Sequence, residues 1–281
     1  MNVETIDFLA PNASQLFSKS LKKTGFCVLK NHPISVDLIN SIYDEWRTFL
    51  ESEDTDQYLF DKIKQDGYFP KNISEVAKGC TVKDIKHYYH LYFPWGRYPK
   101  ETSNLAKQYF DVAFALGKTL LEWIELHMKK SVAQQLHQPL TDCLSYDRTL
   151  LRIMQYPPLT GKEEKGSIRA ASHEDINLIT LLPVASEPGL EVYSIESKSW
   201  SPVICDEGNI VINIGDMLQE MTQKDYISTS HRVTNPTGNA AKKDRISMPT
   251  FMHAKADVYL SKRYPTADNY LQERLAELGV K

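Results

Sequence analysis

The chain has 281 residues, of which 42% are hydrophobic and 25% are charged, and this is ordinary composition for a globular protein. A formal net charge of −3 gives no sign of a polyanionic partner, so we expect a small-molecule ligand and no nucleic acid. No stretch approaches the roughly 20 apolar residues of a membrane span, which argues against a membrane partner.

The cysteines and the N-terminus point to a reducing compartment. Cys27, Cys80, Cys143 and Cys205 are widely spaced and form no C-x-x-C, a pattern that argues against a zinc knuckle or a disulfide framework. The N-terminal residues show no basic region followed by an apolar run, so they predict no signal peptide. We therefore predict a cytoplasmic protein, and its oligomeric state stays open.

The first half of the chain is predicted to be mostly helical, around one short strand. "NASQLFSKSLKK" predicts a helix that Asn12 can cap and that ends before Gly25, and "GFCVLKN" then predicts a strand. "SVDLINSIYDEWRTFLES" has apolar residues at helical spacing after Ser35, the expected N-cap. Residues 64–100 predict a long loop with short elements. "NLAKQYFDVAFALGKTLLEWIELHMKK" predicts the longest helix.

From Leu150 onwards, short strand-like runs replace the helices. Pro, Gly, Asn and Asp separate seven of them: LLRIMQY, NLITLLP, GLEVYSI, SWSPVI, NIVINIG, STSHRVTN and RISMPTF. Such spacing predicts a sandwich or a closed double sheet, and "ADNYLQERLAELGVK" predicts a final helix. We therefore predict one mainly β domain with flanking helices over residues 1–281. Its parts are a mostly helical 1–145, a metal-binding β core at 146–255 and a helical tail at 256–281.

The β half carries a pattern of metal-ligating residues that begins at "ASHEDINLITLLP". His173 and Asp175 are two residues apart, so on an extended strand they point the same way, about 7 Å apart. "STSHRVTNP" adds His231 on a different predicted strand. Two histidines and one carboxylate on one face of a metal leave open positions, which is the arrangement of non-haem Fe(II) oxygenases. In "RISMPTF", Arg245 and Ser247 alternate on a strand and can together bind a carboxylate.

Much of the chain resembles the isopenicillin N synthase-like branch of the Fe(II)/2-oxoglutarate-dependent dioxygenases, also called the iron/ascorbate oxidoreductases. The resemblance covers most of residues 1–255 and is densest over 150–251. "KTGFCVLKNHPI", "DGYFP" and "LRIMQYPP" match family segments, and so does "PGLEVYSIESKSWSPVICDEGNIVINIGDMLQEMTQKDYISTSHRVTNP". The family implies a double-stranded β-helix, or jelly-roll, packed against a helical layer.

The resemblance also implies the chemistry of the site. The implied iron ligands are His173, Asp175 and His231. Arg245 and Ser247 match the pair that holds the far carboxylate of 2-oxoglutarate, and Tyr156 matches a tyrosine that contacts this cosubstrate. The implied enzyme uses Fe(II), 2-oxoglutarate and dioxygen to hydroxylate a small molecule, with release of succinate and CO2. The second family name implies ascorbate as a reductant.

The segment "HYYHLYFPWG", residues 87–96, lies where relatives place an active-site loop. From it we expect His87 and Tyr88, together with Phe251, to contact the substrate. The segment can equally be a packed surface loop. Relatives often have D-x-K-E where this chain has "DIKH", which puts His87 in the acidic position. The substrate of relatives is therefore not carried over to this chain.

Several alternatives stay open at the level of sequence. His173 and Asp175 can form a polar strand end, His231 can be a core histidine, Arg245 can serve a structural ion pair, and Tyr156 can be a core aromatic. An oxidase of the same family that does not use 2-oxoglutarate would hold a substrate carboxylate with the same Arg-x-Ser pair. A non-catalytic metal-binding jelly-roll is a further alternative. A zinc hydrolase would need a general base that the sequence does not offer beside the metal.

Overall fold

A computed structural model describes residues 2–73 and 82–277 of the chain. The predictions for Cys80 and for the last residues of the C-terminal tail, 278–281, lie outside the described residues. The other three cysteines are free thiols, two of them buried. Among the described residues, none of the helices combines the length and the apolar character needed to cross a membrane.

The described residues form seven α-helices, and short 3-10 turns lie between some of them. The helices are α1 (Ala13–Thr24), α2 (Val36–Glu51), α3 (Leu105–Leu126), α4 (Lys130–Ala133), α5 (Leu140–Cys143), α6 (Asp216–Met221) and α7 (Ala267–Glu277). Ser35 caps α2 as expected, because its hydroxyl accepts a hydrogen bond from the Leu38 amide. Asn12 precedes α1 but makes no side-chain capping bond. Gly25 ends α1 in the left-handed region, at φ 74°.

Thirteen strands are described, and the seven predicted runs are all among them. The strands are β1 (Thr5–Asp7), β2 (Phe26–Lys30), β3 (Gly67–Phe69), β4 (His87–Tyr92), β5 (Leu150–Tyr156), β6 (Ala170–His173), β7 (Ile179–Pro183), β8 (Leu190–Ser194), β9 (Ser199–Pro202), β10 (Ile210–Ile214), β11 (His231–Val233), β12 (Arg245–Ser247) and β13 (Thr250–Met252). The run "RISMPTF" is two strands, since the chain leaves the ladder at Met248 and Pro249.

The strands form two sheets that face each other, as the predicted jelly-roll requires. The larger sheet has nine strands in the order β1-β2-β10-β7-β13-β5-β4-β3, and β12 also pairs with β5. The smaller sheet has four strands in the order β6-β11-β8-β9. The fold is therefore mainly β with flanking helices, and the first half of the chain contributes four strands to the larger sheet.

The expectation of a long loop over residues 64–100 needs correction. Part of this region forms β3 and β4, and β4 pairs along its whole length with β5, next to the edge strand β3 of the larger sheet. The sequence of β4 shows no alternation of polar and apolar residues, because both faces of the strand are buried and five of its six residues have aromatic or imidazole rings.

Each face of the larger sheet has its own core. The outer face packs against α1, α2 and α3 through a large cluster that includes Trp46, Tyr89 and Leu151. The inner face closes against the smaller sheet through a second cluster that includes Tyr88 and Tyr156. Because side chains alternate along a strand, Tyr88 and Tyr89 belong to opposite faces. The inner face is the one that meets the predicted metal ligands.

Candidate metal centre

Two of the predicted ligands meet because their strands are neighbours in the smaller sheet. His173 ends β6 and His231 begins β11, and the two residues are direct partners in the antiparallel register. Their ring centroids lie 4.3 Å apart. The Phe26 ring stands edge-on to His231 at 5.4 Å and forms an apolar wall beside it.

Backbone carbonyls set the tautomer of both imidazoles. Nδ1 of His173 lies 2.7 Å from the Ala171 carbonyl oxygen, and Nδ1 of His231 lies 3.1 Å from the Thr229 carbonyl oxygen. A carbonyl only accepts, so each Nδ1 carries the proton and donates it. In the neutral form of each ring, Nε2 therefore has the free lone pair that binds a metal.

Asp175 reaches the same point from the loop after β6, and not from the strand itself as expected. Its Oδ2 accepts hydrogen bonds from the Thr180 hydroxyl at 2.6 Å and the Asn213 amide at 2.8 Å. Its Oδ1 lies 3.6 Å from Nε2 of His231 and 3.9 Å from Nε2 of His173. Thr180 and Asn213 are register partners on β7 and β10, so the larger sheet holds the carboxylate in place.

The three side chains form a donor set suited to a divalent metal. One ligand atom from each of His173, Asp175 and His231 lies within 4.8 Å of the other two. Burial, the neighbouring His231 and Lys86 lower the pKa of His173 to about 4, so its imidazole is neutral near pH 7. Burial alone would raise the pKa of Asp175, but the two imidazoles and the hydrogen bonds from Asn213 and Thr180 keep it below its usual value. Two imidazoles and one carboxylate match Fe(II).

Replacing Thr180 with valine tests how the carboxylate is held. Valine keeps the shape of the side chain but removes the hydroxyl that donates to Asp175, so the carboxylate loses one of its two side-chain restraints. We expect metal affinity to fall about tenfold or more. Equilibrium dialysis with Fe(II) under anaerobic conditions measures it. Thr180→Ser keeps the hydroxyl and is the matched control, and equal affinities of the two variants would contradict this role.

Arg245 and Ser247 lie on the inner face at β12, both 3% exposed. Their register partners on β5 are Tyr156 and Met154, so the predicted cosubstrate residues Arg245, Ser247 and Tyr156 share one face. Nε of Arg245 donates to the Glu187 carbonyl oxygen at 2.8 Å, and the guanidinium lies 5.1 Å from the centre of the Tyr156 ring. Nη1 of Arg245 is buried without a hydrogen-bond acceptor. Such a cation fits an anionic ligand.

The structure does not bring the three predicted substrate residues together. Tyr88 and Phe251 are on the inner face, and the Arg152 guanidinium lies between them, 4.4 Å from the Tyr88 ring and 5.3 Å from the Phe251 ring. Phe251 is the register partner of Thr180, which contacts Asp175, so it lies on the metal side of the sheet.

His87 points to the outer face of the larger sheet. It pairs in register with Gln155, which donates to the Glu51 carboxylate of α2. Together they line a cavity of about 540 Å³ near the end of α2, away from the three predicted ligands. His87 also contacts the Tyr68 hydroxyl at 3.0 Å, and its burial in this place lowers its pKa to about 4. His87 therefore lies on the opposite face of the sheet from Tyr88 and Phe251.

Sequence reasoning missed four residues that the structure puts at the site: Thr180, Asn213, Arg152 and Arg169. Thr180 and Asn213 are polar side chains within strands that are otherwise buried and apolar, a signal that was available. Arg152 is a charged residue inside a predicted strand and offered the same signal. Arg169 precedes β6 and is fully buried, which no local pattern reveals.

Comparison with known proteins agrees with this geometry. The family model of the 2OG-Fe(II) oxygenase superfamily matches residues 146–254. A solved structure of a candidate oxygenase from Shewanella oneidensis is 49% identical, covers 100% of both chains and superposes with a TM-score of 0.88. A candidate 2OG-Fe(II) oxygenase family protein from Caulobacter crescentus is 29% identical over 98% of both chains, with a TM-score of 0.78. Flavonol synthase 3 of Arabidopsis thaliana is 24% identical, over 92% of this chain and 84% of its own.

These likenesses favour an oxygenase that uses 2-oxoglutarate over the 2-oxoglutarate-independent oxidase, and an enzyme over a non-catalytic jelly-roll. Two of the cofactor expectations are confirmed, Fe(II) as the metal and 2-oxoglutarate as the cosubstrate, and ascorbate as a reductant stays a prediction. The chain therefore belongs to the 2OG-Fe(II) oxygenase superfamily, as an Fe(II)- and 2-oxoglutarate-dependent dioxygenase that acts on a small molecule.

Proposed function

We propose that His173, Asp175 and His231 hold the Fe(II) of this dioxygenase. The observation that carries the proposal is the convergence of two Nε2 atoms and one carboxylate oxygen within 4.8 Å, with no other metal-ligating side chain joining the group among the described residues. The hydrogen bonds at both Nδ1 atoms and at Oδ2 leave these three atoms as the ones that face a metal. Three protein ligands leave coordination positions open for other molecules.

Arg245 and Ser247 would hold the far carboxylate of 2-oxoglutarate, with Tyr156 beside them. The support is electrostatic, because Arg245 is a buried cation for which the described residues supply no carboxylate partner. A carboxylate accepts two parallel hydrogen bonds from a guanidinium, and the Ser247 hydroxyl adds a third. An anchor of this kind orients the cosubstrate before the reaction begins.

When bound, iron, 2-oxoglutarate and dioxygen supply an oxidative decarboxylation that yields succinate and CO2 and places one oxygen atom on the substrate. The chain supplies position and a dry environment. Asp175 offsets part of the metal charge, and the backbone carbonyls of Ala171 and Thr229 fix the orientation of the imidazoles. The apolar cluster between the sheets would keep water away from the place where Arg245 and Ser247 hold the cosubstrate.

The substrate would meet the part of the inner face formed by Tyr88 and Phe251. Two aromatic rings beside a guanidinium make a surface that suits a planar small molecule, because ring faces stack and the guanidinium adds an electrostatic contact. We therefore infer a planar or aromatic small molecule as the substrate, hydroxylated at a carbon that lies near the metal.

A succinate-release screen tests the substrate side of the site. Purified protein with Fe(II) and 2-oxoglutarate is incubated in air with a panel of planar aromatic compounds and a matched panel of aliphatic compounds. We expect the planar compounds to stimulate succinate release, Phe251→Ala to reduce that stimulation about tenfold or more, and His87→Gln to retain it. Loss of the same size in His87→Gln, or stimulation by aliphatic compounds alone, would show that the substrate wall is wrongly assigned.

A further inference from the structure

A second buried arginine lies near Arg245. Arg169 directly precedes β6 and is 0% exposed. Its backbone amide donates to the side-chain oxygen of Asn235 at 2.9 Å, which holds the start of the strand. Its Nη2 donates to the Lys243 carbonyl oxygen at 2.9 Å, and its Nε is buried without an acceptor. Among buried side chains, a charged group with an unsatisfied donor is costly and rare.

The two guanidiniums approach the same place from different sheets. Lys243, which accepts the bond from Arg169, lies two residues before Arg245 on the way into β12. Burial lowers the pKa of Arg169, and the positive charge of Arg245 lowers it further, so the two cations lie within electrostatic range of each other. Both also interact electrostatically with Tyr156. Arg169, Arg245 and Tyr156 therefore surround one region of the interior.

The acidic groups nearest to this region are already paired. Asp244 accepts from Nε of Arg47 at 2.8 Å, and Glu187 pairs with Nζ of Lys243 at 2.8 Å. In the described part of the chain, neither Arg169 nor Arg245 makes an ion pair with a carboxylate. Two buried positive charges without a counter-anion disfavour the ligand-free protein, and an anion between them would relieve their repulsion.

We propose that Arg169 is a second cationic contact for the far carboxylate of 2-oxoglutarate, next to Arg245 and Ser247. This inference rests on the cosubstrate site proposed above. A carboxylate has about four acceptor sites, more than one guanidinium and one hydroxyl occupy. The unsatisfied Nε of Arg169 and Nη1 of Arg245 are the donors that such a group would satisfy. Arg169 thereby selects 2-oxo acids that carry a second carboxylate.

A purely structural role for Arg169 has a different signature. If the side chain serves only to hold β12 through the Lys243 carbonyl, its removal displaces Arg245 and the neighbouring strand in general. Binding of every 2-oxo acid would then weaken together. If Arg169 contacts the far carboxylate, its removal weakens the binding only of 2-oxo acids that have this carboxylate. The metal-binding end is the same in 2-oxo acids with and without it.

The experiment compares two ligands and two variants. Isothermal titration calorimetry on anaerobic, Fe(II)-loaded protein measures the affinity for 2-oxoglutarate and for 2-oxopentanoate, which has the same chain without the far carboxylate. We expect Arg169→Met to lower the affinity for 2-oxoglutarate about tenfold or more and to leave the affinity for 2-oxopentanoate unchanged. Lys243→Met removes the same charge from a side chain that is 63% exposed, and we expect it to bind both ligands like the wild type.

Two results for Arg169→Met overturn the inference: an equal loss of affinity for both ligands, or no loss of affinity for either. Arg169→Lys keeps the charge without the forked donors and is expected to show a smaller loss specific to 2-oxoglutarate. It provides the same comparison if the methionine variant does not fold. Wild-type protein that binds the two ligands equally would overturn the cosubstrate site itself, and this outcome is seen before any variant is made.

Discussion

Replacing Asp175 with asparagine is expected to lower the affinity for Fe(II) by about a hundredfold or more, beyond the loss typical of an outer-shell partner. Asp175 is the only charged ligand of the proposed set, so the substitution removes the group that offsets the charge of the metal. The Asn213 amide would also face a second amide donor if the new side chain kept the present orientation. Succinate release should fall with iron occupancy. Anaerobic equilibrium dialysis with Fe(II) measures the affinity directly.

Glu174→Gln is the matched control for this substitution. It makes the same chemical change one residue away, on an exposed side chain that contacts Ser230. We expect this variant to bind Fe(II) like the wild type. Thermal unfolding of metal-free Glu174→Gln should stay close to that of the wild type, because its side chain is exposed, and the same measurement on Asp175→Asn checks that this variant is folded at the temperature of the dialysis. Wild-type iron affinity in Asp175→Asn would remove Asp175 from the metal centre.

The second large effect is expected for Arg245→Met, which should raise the KM for 2-oxoglutarate about a hundredfold or more while iron affinity stays unchanged. Truncating one partner of a buried, hydrogen-bonded charge pair costs about 2–5 kcal/mol. The metal-free protein should keep or gain stability, because the lost guanidinium is buried with an unsatisfied Nη1 and lacks an ion pair within the described residues. Succinate release as a function of 2-oxoglutarate concentration gives the KM.

Arg245→Lys separates charge from geometry in the same assay. Lysine keeps the charge but lacks the planar fork that matches a carboxylate, so its KM should lie between those of the wild type and Arg245→Met. An unchanged KM in both variants would mean that the cosubstrate lies elsewhere. A parallel loss of iron affinity would instead indicate that the substitution disturbs β12 and the strands beside it.

Much of the fold and the three proposed iron ligands could be predicted from the sequence. Short apolar runs separated by Pro and Gly identify the strands of the second half, because side chains alternate between the two faces of a strand and tight turns favour Pro and Gly. The pairing of His173 with His231 depends on which strands become neighbours, and spacing along the chain does not determine this. The family resemblance supplied the missing long-range information.

The remaining details depend on tertiary contacts. His87 and Tyr88 are adjacent in the sequence, and only the register of β4 against β5 decides that His87 faces α2 while Tyr88 faces the interior. Asp175 was expected on a strand and lies in a loop, held by Thr180 and Asn213 from the opposite sheet. The sequence around Arg169 does not indicate its complete burial, which arises from packing between the sheets.

The most direct test of the proposed site is an anaerobic spectroscopic titration of the wild-type protein with Fe(II) and then with 2-oxoglutarate. Chelation of the metal by the cosubstrate would produce a weak visible charge-transfer band, which requires the metal ligands, and the carboxylate anchor sets the 2-oxoglutarate concentration at which it develops. We expect the band to develop at one iron per chain, to be absent in Asp175→Asn, and to need far more 2-oxoglutarate in Arg245→Met. Iron binding without any band, or an unchanged band in Asp175→Asn, would contradict the assignment of this site.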